Sequence, residues 1–230
     1  MKYAAALLTG ILVGVALFIG GMYYNPIAER QTVSPIAISA REQLAFTYSA
    51  VPGESLLYTY SGDSVINTHP DRVAELREPT LVDTRIFVTL LHDSHDRAVG
   101  LGIKFSSNSE QSVLINSQAL VNSVWHIYLT GQGTMFVDQI ENFWSYLREI
   151  VVPARWSSGD SWRGTFFRIM TQGPGALGTA RVTGGSGKFD GMSSEAVESL
   201  TARAYSSLDG PVSMSGSLSM TVPTSVSLDD

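Results

Sequence analysis

The chain has 230 residues, no cysteine, a formal charge of −6 and only 16% charged side chains. Without cysteine there is no disulfide framework, no thiolate chemistry and no lipid attachment at a lipobox. The acidic balance, with no cluster of Lys and Arg, excludes the basic face that nucleic acid requires and disfavours anionic headgroups.

From Ala4 to Met22 no side chain is charged, and a run of this length in helical form crosses the ~30 Å hydrocarbon core of a bilayer. It outruns the apolar region of a cleaved signal peptide, and no good small-residue cut site follows it. The expectation is a retained anchor over residues 1–24. Lys2 before the helix favours an N-in orientation, and Tyr23 and Tyr24 suit the far interface. The rest of the chain is then expected on the periplasmic or outer side of the inner (cytoplasmic) membrane. Ala6, Gly10 and Gly14 recur every fourth residue, a small-residue face through which two anchors can pack, so a homo-oligomer is a candidate state.

Residues 25–43, with Pro26 and Pro35 in mixed polar sequence, read as a stalk. Residues 44–223 read as one domain and residues 224–230 as a disordered tail. Glycine, serine and threonine are abundant, which suits an antiparallel sandwich or barrel better than a helical bundle.

Strands are predicted over Leu44–Ser49, Leu56–Ser61, Leu81–Leu91, Ala98–Ser106 and Ser123–Val137, each bounded by turn residues. Ile140, Phe143, Trp144, Leu147 and Ile150 have helical spacing. They predict an amphipathic helix from Asp138, with Glu141 completing a capping box and Pro153 as the stop. Strands resume over Trp162–Thr171 and Gly178–Thr183. Ser194–Ser206 has mixed character and is read as a strand, because Asp209-Gly210 is a hairpin signal and Val212–Val222 alternates cleanly.

Gln172-Gly173-Pro174 followed by Val182-Thr183-Gly184-Gly185-Ser186-Gly187-Lys188-Phe189-Asp190-Gly191 resembles the late strands of the allene oxide cyclase barrel, related to the dirigent proteins. The resemblance covers about Phe166 to Gly191. It implies an all-β, calycin-like antiparallel barrel, here with the one amphipathic helix covering an opening and a single N-terminal transmembrane helix before it. It carries over no catalytic residue.

Several residue sets can carry chemistry. His92 and His95, with Asp93 and Asp96 beside them, offer metal-ligand types, against the plainer reading of a polar hairpin tip. Gly184 to Lys188 imitates a phosphate loop, but Phe189 stands where Ser or Thr is required, so a glycine hairpin explains it better. His126 can serve as a general base in a barrel lumen or as an ordinary hydrogen-bonded histidine. Trp125, Tyr128, Trp156, Asp160, Trp162 and Arg163 are the candidate ligand-binding set: aromatic faces for stacking, one carboxylate and one guanidinium for orientation.

The expected function is a membrane-tethered envelope protein that binds a small apolar ligand without catalysis and needs no cofactor. A cyclase- or isomerase-like enzyme on a lipid-like substrate and a structural subunit of an envelope complex are the alternatives. A cluster of ionisable groups in an apolar lumen would favour the enzyme, and a lumen packed solid the structural subunit.

Overall fold

The computed structural model describes residues 2–23, 42–51, 59–60, 63–64, 84–156 and 161–222. The first element is helix α1, Lys2–Tyr23, of 22 residues. Side chains of α1 are described without a break only over 6–21, and among the described residues no helix is long and apolar enough to cross a membrane.

The domain is a closed antiparallel barrel of eight strand positions. Its strands are β1 Glu42–Ser49, β4 Arg85–His92, β5 Ala98–Asn108, β6 Leu120–Leu129, β7 Gly133–Asn142, β8 Ser161–Gly173, β9 Ala180–Gly187, β10 Ser193–Ser206 and β11 Gly210–Val222. A separate two-residue ladder joins β2, Thr59–Tyr60, to β3, Asp63–Ser64. The ring closes because β1 pairs with both β11 and β4.

One position is shared by two strands. Asp138 on β7 pairs with Arg181 on β9, while Ile140 and Glu141 pair with Gly173 and Thr171 on β8. On the other flank β10 pairs with β9 up to Ala196 and with β8 from Ser199. Strands β8 and β9 therefore form one lane, interrupted where the chain loops out between Gly173 and Ala180. Residues Gln172 to Gly191 span this interruption and the turn after β9.

Two boundaries differ from expectation. The run Ser123–Val137 is a hairpin, cut by a turn in which Gly131 has φ +72°. The helix predicted from Asp138 starts later: β7 continues to Asn142 with neighbours on both flanks, and helical backbone runs from α2, Trp144–Tyr146, through a π-turn, Leu147–Val151, to α3, Val152–Trp156. Asn142 Oδ1 accepts the N–H groups of Trp144 (3.0 Å) and Ala119 (3.1 Å), tying the strand end to the helix start. Pro153 does not stop the helix: it follows directly on the π-turn, where the regular i→i−4 bonding is already broken, and helical backbone continues past it to Trp156. The strand predicted over Leu56–Ser61 lies largely outside the described residues, as do most of the stalk and the tail.

Inward side chains fill the barrel unevenly. Leu44, Phe46, Leu91, Ile127, Leu129, Met135, Val182, Phe189, Leu218 and Met220 are buried and close one end with a packed apolar core. The alternation of β1, β6 and β7 delivers them, since every second residue of a strand faces the same side. Towards the other end the lumen turns polar and then opens.

Candidate functional site

Above the apolar plug lies a plate of buried polar side chains: Tyr48 from β1, Lys104 from β5, Ser123 and Trp125 from β6, Gln139 and Glu141 from β7, Thr171 from β8 and Glu198 from β10. Each occupies an inward beat of its strand. Glycines make room for the two largest. A Cβ on Gly216 would fall 1.9 Å from Tyr48 Cζ, and one on Gly102 would fall 2.6 Å from Trp125 Cζ3. No side chain larger than hydrogen fits at either place without moving an aromatic ring.

Glu198 is the centre of the plate. It accepts both oxygens' bonds from Lys104 Nζ at 2.9 and 2.8 Å, one from Trp125 Nε1 at 3.1 Å, and further bonds from the Tyr48 hydroxyl and Gln139 Nε2. Gln139 Oε1 in turn accepts from Thr171 Oγ1 (3.1 Å), which itself accepts the Glu198 backbone N–H (2.8 Å). Tyr48 and Trp125 meet edge to face at 5.0 Å, and Lys104 Nζ lies 5.4 Å from the Trp125 ring centre. A buried charge is tolerable only when its lone pairs are met, and here they are.

Glu141 is held differently. Lys104 Nζ and Ser123 Oγ, each at 2.8 Å, both bond to its Oε2. The plate thus contains one ammonium between two carboxylates, and full ionisation would leave a net negative charge in a low-dielectric interior. The two acids divide that burden. Burial alone would raise the Glu198 carboxyl, but Lys104 and the donors Tyr48 and Gln139 outweigh it and hold it below the ordinary value. Burial pushes Glu141 up, and Lys104 cannot cancel that together with the repulsion of Glu198. Burial would lower Lys104, yet the two carboxylates overcome it and keep the ammonium charged. Tyr48 is raised by burial and then by Glu198, so it stays a neutral donor. Two carboxyls with opposed shifts form the pattern from which acid and base roles are assigned.

The plate is the floor of a cavity of about 950 Å³ at the open end of the barrel. Tyr48, Lys104 and Glu141 reach it, while Glu198 does not. Its walls are mostly apolar: Phe87, Leu120, Val121, Leu200 and Met214 from the strands, with Phe143, Tyr146 and Leu147 from the strand-to-helix junction. The helical segment therefore lines the opening of the barrel, and Tyr146 packs there against Phe143, Phe166 and Tyr205. Its hydroxyl is buried without a hydrogen-bond partner among the described residues.

The sequence candidates fall in other places, Trp125 excepted. Trp125 is in the plate. His126 and Tyr128 are on the outer face of β6; His126 stacks on Phe136 at 4.6 Å, and Tyr128 is exposed. Trp156 is exposed at the end of α3, Trp162 packs half-buried against the core, and Arg163 is exposed. None of these lines the cavity. Asp160 lies outside the described residues. His92 ends β4 and His95 is exposed in the turn after it, where Asp93 Oδ1 caps the N–H groups of His95 (2.8 Å) and Arg97 (2.9 Å). These bonds and the Arg97 guanidinium hold the Asp93 carboxyl down to about 2. Among the described residues no group of three or more His, Cys, Asp or Glu is placed to hold a metal ion. Ala6, Gly10 and Gly14 are exposed on α1, and no described residue lies within 4 Å of where a Cβ on Gly10 or Gly14 would sit.

Sequence reading missed Lys104, Glu141 and Glu198. The signal was an ionisable residue on an inward beat: Glu198 shares a face with Ala196, Leu200 and Ala202, and Lys104 with Gly102. Glu141 was assigned to a capping box that the fold does not form. Neither a protein-family model nor a curated protein matches this chain.

Proposed function

We propose that this protein is a membrane-tethered barrel that binds one small, mostly apolar molecule in its lumen. The observation that carries the reading is the cavity of about 950 Å³, apolar in its walls and floored by Lys104, Glu141 and Tyr48. Sites for small molecules have this size, with a few polar groups fixing orientation among apolar walls. An eight-stranded barrel either fills with side chains or holds one small ligand; this one is filled at one end and open at the other. The likeness of residues 166–191 to the allene oxide cyclase barrel agrees with a lumen used for an apolar guest.

Anchoring rests on α1. Leu7, Leu8, Ile11, Leu12, Leu17 and Phe18 are each more than half exposed, on a helix whose sequence is charged only at Lys2. A helix apolar on all sides has no stable place in water and is matched by lipid. In this reading the barrel faces the periplasm or exterior from the inner membrane, draws its ligand from the bilayer, and is able to self-associate through the Ala6, Gly10 and Gly14 face.

Glu141 favours a second reading, that the bound molecule is also transformed, as by an isomerase or cyclase. An acid with a raised pKa at the edge of an apolar cavity is suited to proton transfer. The test of the first reading is purification of the full-length protein from its own membrane, followed by organic extraction and mass spectrometry. About one apolar molecule per chain is expected. A ligand-free chain carrying stoichiometric partner proteins would overturn the reading in favour of a structural subunit.

A further inference from the structure

The outward side chains of the barrel divide into two unlike halves. On β10, β11 and β1 they are small and polar, among them Ser199, Thr201, Ser215, Ser217 and Thr47. On β4, β5, β6 and β7 they are mostly apolar, and the strand register sets them in rows. The middle row is Val88, Ile103, His126 and Phe136, the last two stacked at 4.6 Å. To one side of it lie Leu90, Leu101 and Tyr128. To the other lie Ile86, Phe105 and Val124. No carboxylate, ammonium or guanidinium interrupts these positions.

The extent of this face decides what it can do. Ile86, Leu90, Phe105, Val124, Tyr128 and Phe136 are each between 39% and 58% exposed. With about 200 Å² on a large side chain, those six alone leave about 500 Å² open. That is towards the top of the ~300–600 Å² that the largest apolar patch of a monomer reaches. The partly exposed Val88, Leu101 and Ile103 enlarge it towards the ~800 Å² that each partner brings to a stable complex.

We infer that this face joins two copies of the barrel, the β4–β7 face of one packed on the same face of the other across a twofold axis. A contact between unlike patches would need a second apolar face. Among the described residues the barrel shows none, and the other exposed apolar side chains, such as Phe167, Leu177 and Leu208, lie on separate elements. The contact is therefore isologous. Two sheets meeting face to face pack about 10 Å apart. An axis parallel to the strands lays β4 of one copy over β7 of the other. It turns Asp138, which faces outward opposite Val124, towards the Arg85 end of β4 in the second copy, a charge of opposite sign. Bordering carboxylates weigh against lipid as the occupant: Asp138 ends one row, and Asp93 and Asp96 stand in the turn beyond Leu90, where anionic headgroups are repelled. None of this depends on what the lumen holds.

The experiment uses the full-length protein. Sedimentation equilibrium in density-matched detergent micelles should give a dimer for the wild type. Phe105→Lys combined with Val124→Lys sets like charges against each other in the contact and should weaken self-association about 100-fold or more. Both positions are exposed in a single copy, so the near-ultraviolet dichroism of the barrel should be kept. Gly10→Leu combined with Gly14→Leu closes the small-residue face of α1 and should leave the dimer in place. The chain has no cysteine, so one introduced thiol can be cross-linked alone in the native membrane. A short bismaleimide should join Ile103→Cys to a second copy and leave Thr47→Cys, on the polar half, single. A monomeric wild type overturns the inference, as does a dimer equally strong in the lysine variant or lost in the glycine variant. Ile103→Cys joined to a different protein, or left single in the membrane, overturns it in favour of another partner or of lipid.

Discussion

Glu141 and Glu198, from strands β7 and β10, share one ammonium: Lys104 Nζ lies 2.8 Å from an oxygen of each. The three side chains are almost wholly buried, and their unequal surroundings hold the Glu198 carboxyl below its ordinary value and push the Glu141 carboxyl above it.

Removing the ammonium should be costly. Lys104→Met leaves two buried carboxylates without a counter-charge, and breaking a buried pair from one side costs about 3–5 kcal/mol. Urea unfolding at neutral pH should register that loss, and lowering the pH should recover part of it as the carboxyls take up protons.

The two acids should respond differently to neutralisation. Glu198→Gln replaces an acceptor engaged by Lys104, Tyr48, Trp125 and Gln139 with a group that brings its own N–H donors into the cluster; the expected loss is about 3 kcal/mol. Glu141→Gln removes one of two like charges and should change stability by less than about 1 kcal/mol. Equal losses would contradict the division of roles.

Stability against pH separates them by sign. The folded-state pKa of Glu141 is raised, so the folded chain holds a proton that the unfolded chain gives up above the ordinary 4.5. Its contribution is complete below that value and is lost as pH rises through the raised one. Glu198 is lowered from the same 4.5, so its contribution is present above that value and lost as pH falls through the lowered one. From pH 4.5 to neutrality, the stability of wild type relative to Glu141→Gln should fall, and that of wild type relative to Glu198→Gln should be retained. Calorimetry across this range checks both.

Gly216→Ala tests the space reserved for Tyr48. The new Cβ would overlap the phenol at 1.9 Å from Cζ, so the ring must leave Glu198 or β11 must shift from β1. Overpacking of this kind costs about 1–3 kcal/mol, read as a lower melting temperature, with the near-ultraviolet dichroism of the adjacent Trp125 altered.

Much of the barrel was legible because alternation is strong where one face is wholly apolar, as in Leu44-Phe46-Tyr48 and Leu218-Met220-Val222. The hairpin at Gly131 was hidden because Thr130, Gln132 and Thr134 have ordinary strand propensity. The helix start was misplaced because Ile140, Phe143 and Leu147 imitate a helical stripe while Gln139 and Glu141, facing inward, disguise the strand period. The same disguise concealed the site. A buried polar network places ionisable residues where pattern reading expects apolar ones, and only pairing across β1, β5, β7 and β10 brings Tyr48, Lys104, Glu141 and Glu198 together. Aromatic supply directed attention to Tyr128, Trp156 and Trp162, none of which lines the cavity floored by Tyr48, Lys104 and Glu141.

The central claim is that the open half of the lumen holds an apolar guest, and native mass spectrometry of full-length wild type beside Val121→Trp tests it most directly. Val121 lines the cavity, so the indole occupies the guest's space while the plate and the plug stay unchanged. A bound apolar molecule near one per chain is expected on the wild type and at least about tenfold lower occupancy on the variant, a difference of about 1.4 kcal/mol or more in binding. A wild type without a guest, or equal occupancy on both proteins, would contradict it.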